Sequence, residues 1–160
     1  MGSEPAHPDQ PTIAELGPAS LAVIHAVVPM AQLPAFFDAA FTELAAVLAE
    51  QGLTPAGPAF AHYHAPPAGS AVLDVGFPVA AEIRPQGRVQ PATRSACPAA
   101  TVMHQGPYDG LGSSWERLAG WIAEQGLTPT DELWEIYETE PTPDLDPNVL
   151  RTVLFWPLRT

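Results

Sequence analysis

A chain of 160 residues is long enough for one compact unit, or two tightly fused small halves, with a core of its own. Hydrophobic residues make up 46% and charged residues only 15%, which excludes disorder of the chain as a whole. Acids number 18 against six arginines and no lysine, a formal charge of −12; this excludes nucleic acid and anionic membrane surfaces as partners, both of which call for a basic patch, and favours a cationic or neutral one.

The elements follow in chain order. MGSEPAHPDQP, with the rest of residues 1–12, reads as a floppy Pro-rich leader; it has neither the basic nor the apolar region of a signal peptide. No apolar run reads as long enough to span a bilayer, so the cytoplasm is expected. LAVIHAVV, 21–28, reads as a strand, being rich in β-branched residues. Residues 34–51 read as an amphipathic helix, with Phe41, Leu44, Val47 and Leu48 at the spacing of one helical face. Gly52 can end it in the left-handed conformation, and Thr54-Pro55 prevents re-entry. Phe60–Tyr63 and the stretch around Val75–Pro78 read as strands, and 80–91 as a connector, partly strand. The lone Cys97 excludes an internal disulfide and reads as a small half-buried residue rather than a reactive thiol. ATVMHQG, 100–106, is a strand; 109–125 a helix, with Asp109 or Ser113 as its cap; Trp134–Tyr137 a strand; PTPDLDPN a loop; and Leu154–Pro157 the last strand.

This order repeats itself. Shifted by 74 residues, AEQGLTP at 49–55 falls on AEQGLTP at 123–129. Phe41 falls on Trp115, Leu44 on Leu118, Val47 on Trp121 and Leu48 on Ile122, so Trp115 and Trp121 read as packing residues. Phe60-Ala61-His62-Tyr63 falls on Trp134-Glu135-Ile136-Tyr137. Five extra residues in the second copy lengthen a loop, after which Val75 falls on Leu154; before the helices, His25 is set opposite His104. Each copy is strand, helix, strand, strand: repeat 1 about 13–90 and repeat 2 about 91–160 of one domain, 13–160. Two such copies about a pseudo-twofold cover each other's bare surfaces and leave a crevice between them.

HQGPYDGLGSSWERLAGWIAEQGLTPTDELWEIYETEP followed by RTVLFWPL resembles the GyrI-like small-molecule-binding domain, the effector-binding module of some MerR- and AraC-type multidrug regulators that also exists free-standing. The carriers are Gly106-Pro107-Tyr108, the W-E-x-Y of Trp134–Tyr137, and the aromatic-Pro-Leu of Trp156–Leu158, and the likeness covers nearly the whole chain after about residue 12. The resemblance implies an α+β fold of tandem duplicated βαββ units of the SHS2 type: an antiparallel sheet, two main helices and a central cleft. It implies that Glu135 lies at the bottom of that cleft and faces lipophilic cations. With no recognition helix or basic region before residue 12, the chain is similar to the free-standing members, as a sensor or sequestering protein, monomeric or a weak homodimer. A subset of such members is credited with hydrolysing strained cyclopropane rings, which makes a hydrolase the alternative.

Alternation along a strand puts Glu135 and Tyr137 on one face and Trp134 and Ile136 on the other; in the first copy Ala61 and Tyr63 hold the matching face. If the two strands face each other across the axis, one wall carries an acid and the other a methyl group. Burial without a partner would raise the acid's pKa, and a bound cation would reverse that. Tyr63, Tyr108, Tyr137, Phe155 and Trp156 are candidate aromatic walls for a cation; Phe155 and Trp156 point to opposite faces, and Phe155 is the first choice by the family's pattern. On residue types alone, the competing reading of Glu135 is a solvated edge-strand acid, as for Glu138 and Glu140. In the hydrolase alternative Glu135 and Tyr137 are the catalytic residues.

Other constellations count for less. His62 and His64 have strand i, i+2 spacing, but the sequence places no third ligand with them, and no metal is expected. His25 and His104 read as polar groups closing strand ends. Ser113 and Ser114 lack a nucleophile-elbow motif, and GPYDGLG lacks the phosphate-loop pattern. A tetrapyrrole, held in similar duplicated folds, would need a clear axial ligand, for which His25, His62 and His104 are the candidates; no cofactor is expected.

Overall fold

The structure, a computed structural model, describes residues 10–139 and 144–159. The leader through residue 9, and residues 140–143 of the second-half loop, lie outside the described residues. Among the described residues, eight strands form one antiparallel sheet: β1 (Thr12–Leu16), β2 (Ala19–Pro29), β3 (Ala59–Tyr63), β4 (Ser70–Val79), β5 (Val89–Arg94), β6 (Cys97–Gln105), β7 (Leu133–Tyr137) and β8 (Arg151–Pro157). Two helices, α1 (Leu33–Glu50) and α2 (Leu111–Glu124), cover one face. The sheet order is β1-β6-β8-β7-β3-β4-β2-β5.

Each repeat is the expected βαββ unit. Helix α1 buries Ala40, Leu44, Val47 and Leu48 against β2 and β4, and α2 buries Leu118 and Ile122 against β6 and β8. Both helices end alike: Gly52 and Gly126 take φ of 71°, and the following amides, Leu53 and Leu127, reach back to the carbonyls of Leu48 and Ile122 at 2.8 and 3.1 Å. Asp109 makes no side-chain capping bond; it lies in a 3₁₀ turn, Tyr108–Gly110, that leads into α2. By length and mean hydropathy (1.2), Met30–Glu50 could cross a membrane, contrary to the reading that no run is long enough; here one face of α1 packs on the sheet.

The repeats meet through β3 and β7, which pair edge to edge rather than facing across a gap. Ala61 stands directly opposite Glu135, the residue it also aligns with in the repeat. The pseudo-twofold axis therefore passes between these two residues.

β1 has no counterpart among the elements read from the sequence, and β5 appears there only as the partly extended end of the 80–91 connector. β1 opens the first repeat but pairs with β6 of the second; β5 leads from that connector into the second repeat and pairs with β2 of the first. Each repeat thus lends a leading strand to the other's edge. The exchange also rolls the sheet. In a flat sheet β1 and β2 would lie six strands, or about 29 Å, apart. Gly17-Pro18 joins them, and its span is at most about 11 Å. The far face therefore folds on itself around Leu16, Leu21, Val23, Phe60, Ala99 and Trp134, and Arg94 lies 4.9 Å from the centre of a Trp134 ring.

Candidate functional site

The central pair β3–β7 lies between the regions covered by the two helices, and its helix-side residues are Ala61, Tyr63, Leu133, Glu135 and Tyr137. Glu135 is only 6% exposed. Its carboxylate accepts two hydrogen bonds, from the Tyr137 hydroxyl to Oε1 at 2.6 Å and from the Trp115 indole N–H to Oε2 at 2.8 Å. The first donor comes from the same strand two residues on, as alternation requires; the second comes down from α2.

Aromatic rings enclose this group. Tyr137 is met edge-on by Phe37 of α1 at 6.2 Å and by Tyr108 at 5.9 Å. Trp115 meets Trp156 at 5.6 Å, and the Trp156 indole donates to the Thr130 carbonyl at 2.7 Å. Phe37 stacks on Phe41, which meets Phe77. Tyr108 is exposed, at the outer edge of this aromatic cluster.

Electrostatics follow from enclosure. Burial pushes the Glu135 carboxyl above the usual carboxylate range, against the pull of the Tyr137 and Trp115 hydrogen bonds and of His104. Burial raises the Tyr137 phenol far above its ordinary value, and the neighbouring Glu135 charge adds to it. Burial and Glu135 likewise raise Tyr63 and Tyr108. The tyrosines are therefore donors that stay protonated, while the carboxyl can exchange a proton.

The sequence-predicted residues sort clearly. Glu135, Tyr137, Tyr63, Tyr108, Trp156 and Ala61 share the helix side. Phe155 does not: it pairs with Trp134 and packs in the rolled far-side core, so the first choice between Phe155 and Trp156 is reversed by the register of β8 on β7. Trp115, read as packing, is a hydrogen-bond donor to the acid. The apposition of His25 with His104 also fails. Carried through the ladders, the row Tyr137–Thr152–His104 matches Tyr63–Leu73–Ala26, so Ala26 is the counterpart of His104. The polar set Glu135, Tyr137, Thr152 and His104 thus faces apolar or aromatic partners in the first repeat: asymmetry extends beyond one acid.

His104 secures the start of α2. Its Nε2–H donates to the Pro107 carbonyl at 2.8 Å, and in that tautomer Nδ1 accepts from the Ser114 hydroxyl at 2.7 Å. Thr152 is fully buried beside Tyr137, and its hydroxyl has no partner among the described residues. A hollow of 510 Å³ at the start of α1, bordered by Ala26, Val28, Gln32, Phe36 and Arg88, does not include Glu135. Its one charged residue, Arg88, is tied to Glu43 at 2.8 Å.

Comparisons with known proteins bear on the fold and the family. No curated protein matches the sequence. Among solved structures, the C-terminal domain of EcmrR has a TM-score of 0.80 at 22% identity, with 94% of this chain and 98% of that one covered. In a complex of EcmrR with DNA the TM-score is 0.82 at 20% identity; the match covers 94% of this chain, which spans 57% of that longer one. SAV2435 bound to tetraphenylphosphonium has a TM-score of 0.68 at 12% identity, with 94% of each chain covered. A hydrolase from Listeria innocua gives 0.62 at 11% identity, with 97% and 94% covered. These likenesses establish a shared fold. Residues 9–159 match the family described as the GyrI-like small molecule binding domain, and the chain belongs to that family.

Proposed function

We propose that the protein binds a hydrophobic cation between its repeats, with Glu135 as the charged anchor, and serves as a sensor or sequestering protein. The single observation that carries this reading is a buried carboxylate whose two hydrogen-bond donors, Trp115 and Tyr137, are both neutral. A buried charge whose direct donors, among the described residues, are both neutral is costly, and a cation removes the cost. Rings of Tyr63, Tyr108, Tyr137, Phe37 and Trp156 supply apolar contact, and each well-placed face adds about 0.5–2 kcal/mol of cation–π attraction. The rings cover the acid in this conformation, so binding requires Tyr108 and its neighbours to turn outward. The tetraphenylphosphonium on SAV2435, a fold relative, supports the same ligand class.

A second reading, hydrolysis of an electrophilic cyclopropane, is favoured by one contact: the 2.6 Å hydrogen bond between Tyr137 and a carboxyl already raised by burial. Such a carboxyl can deliver a proton to an opening ring and then activate water. One experiment separates the readings. The protein is titrated with tetraphenylphosphonium, following tryptophan fluorescence, and is incubated with an electrophilic cyclopropane, following product. Saturable quenching with no product supports binding; turnover lost in Glu135→Gln supports hydrolysis; neither result would remove both.

A further inference from the structure

On the sheet face away from the helices, the fold gathers residues far apart in sequence. His25 of β2 and Asp74 of β4 are directly paired in the ladder, and His64 follows the end of β3, its amide bonded to the Val72 carbonyl at 2.9 Å. One oxygen of Asp74, Oδ1, lies 2.7 Å from His25 Nδ1 and 3.2 Å from His64 Nε2. The three donor atoms all lie within 4.8 Å of one another. We propose that His25, His64 and Asp74 form a surface site for a divalent first-row transition cation of the zinc class, separate from the Glu135 cleft.

The donor set suits that class. Two imidazoles and a carboxylate are ligands that zinc accepts, at about 2.0–2.2 Å from the metal. Four-coordinate geometry at those lengths sets donors about 3.3 Å apart, which a small rotation of the exposed His25 ring reaches from here. Without metal, Asp74 Oδ1 accepts from His25 Nδ1–H at 2.7 Å, and His64 Nε2 stands 3.2 Å from the same oxygen. A cation takes the place of the hydrogen between these donor atoms, and each ring then carries its hydrogen on the nitrogen turned away from the metal. The platform is rigid, since the ligands ride on or directly beside paired strands, so little ordering is needed on binding. His62 buttresses it: its ring lies 4.5 Å from that of His64, stacks on Trp134 at 3.9 Å, and is held by Glu132 at 2.7 Å. With three protein ligands and His25 exposed, a fourth position is open to water or another donor.

The test uses the full chain stripped with a chelator, titrated with Zn²⁺ by calorimetry and with Co²⁺ by visible absorption. One ion per chain is expected, with the intense visible bands of four-coordinate cobalt. His64→Gln and Asp74→Asn should each weaken binding by more than about tenfold, while Glu124→Gln, on the exposed last turn of α2, keeps the stoichiometry. Circular dichroism in chelator checks that the variants fold, and the exposed His25→Gln serves as the ligand variant if Asp74→Asn does not. No binding by the wild-type chain, or unchanged binding in His64→Gln, overturns the proposal.

Discussion

Replacing Glu135 with glutamine isolates the charge while keeping the shape. Glutamine offers one acceptor oxygen to two donors, Trp115 and Tyr137, so one is left unpartnered at about 1–3 kcal/mol. Removing a buried carboxylate returns several kcal/mol, so the ligand-free variant should be as stable as wild type or more so. Binding should respond oppositely. A cation centred about 6 Å from the carboxylate gains about 3 kcal/mol at an effective dielectric constant of about 20, close to a hundredfold in affinity. Titration of both proteins with tetraphenylphosphonium at several pH values measures this loss. The raised Glu135 pKa fixes the sign: affinity of the wild type should climb as pH rises through that raised value and then level off, with no such step in the variant. Stability runs the other way. A carboxyl with a raised folded-state pKa stabilises the ligand-free chain fully below its unfolded value, and that contribution fades as pH climbs through the folded one. The wild-type-minus-variant difference in unfolding free energy should therefore shrink with pH. Equal affinity in the two proteins, or parallel pH profiles, would refute the anchoring role.

Three further changes probe the scaffold. Trp115→Phe removes a donor to the carboxylate and should cost about 1.5–3 kcal/mol at neutral pH by denaturant unfolding, and raise the Glu135 pKa further. Leu44→Ala empties a fully buried position under α1 and should cost about 2–5 kcal/mol in the same assay. Gly76→Ala would drive a methyl group into the Ala22 carbonyl, backbone that cannot swing aside, so the variant should be found in the insoluble fraction or unfold without a cooperative transition.

Much of this was legible from residue order. The repeat of AEQGLTP, with the 3.6-residue spacing of Leu44, Val47 and Leu48, yields both helices; two-residue alternation alone puts Glu135 with Tyr137 and away from Trp134. What stayed hidden is register, because a strand's inter-strand pairing leaves no mark in its own sequence. A slip of one residue moves a side chain to the other face, and so His25 rather than Ala26 reads as the counterpart of His104; the preference for Phe155 over Trp156 comes from the family's pattern, and the register of β8 on β7 overrules it. TIAEL and VQPATR are short and partly polar, and their partners sit in the opposite repeat, so the first does not announce itself as a strand and the second shows only as the partly extended end of the 80–91 connector. Trp115 showed the spacing of a packed residue; nothing in that spacing tells what its indole N–H meets.

The exchanged leading strands carry a consequence for how such a chain came about and can be taken apart. Were the gene cut between β5 and β6, the first fragment would hold β1 with nothing to dock on, and the second would expose the flank of β6 that β1 now covers. Neither piece is self-sufficient, yet the two together hold every strand the sheet needs. Co-expressed fragments should reassemble, and a single ancestral copy would have had to find its twin before it could close.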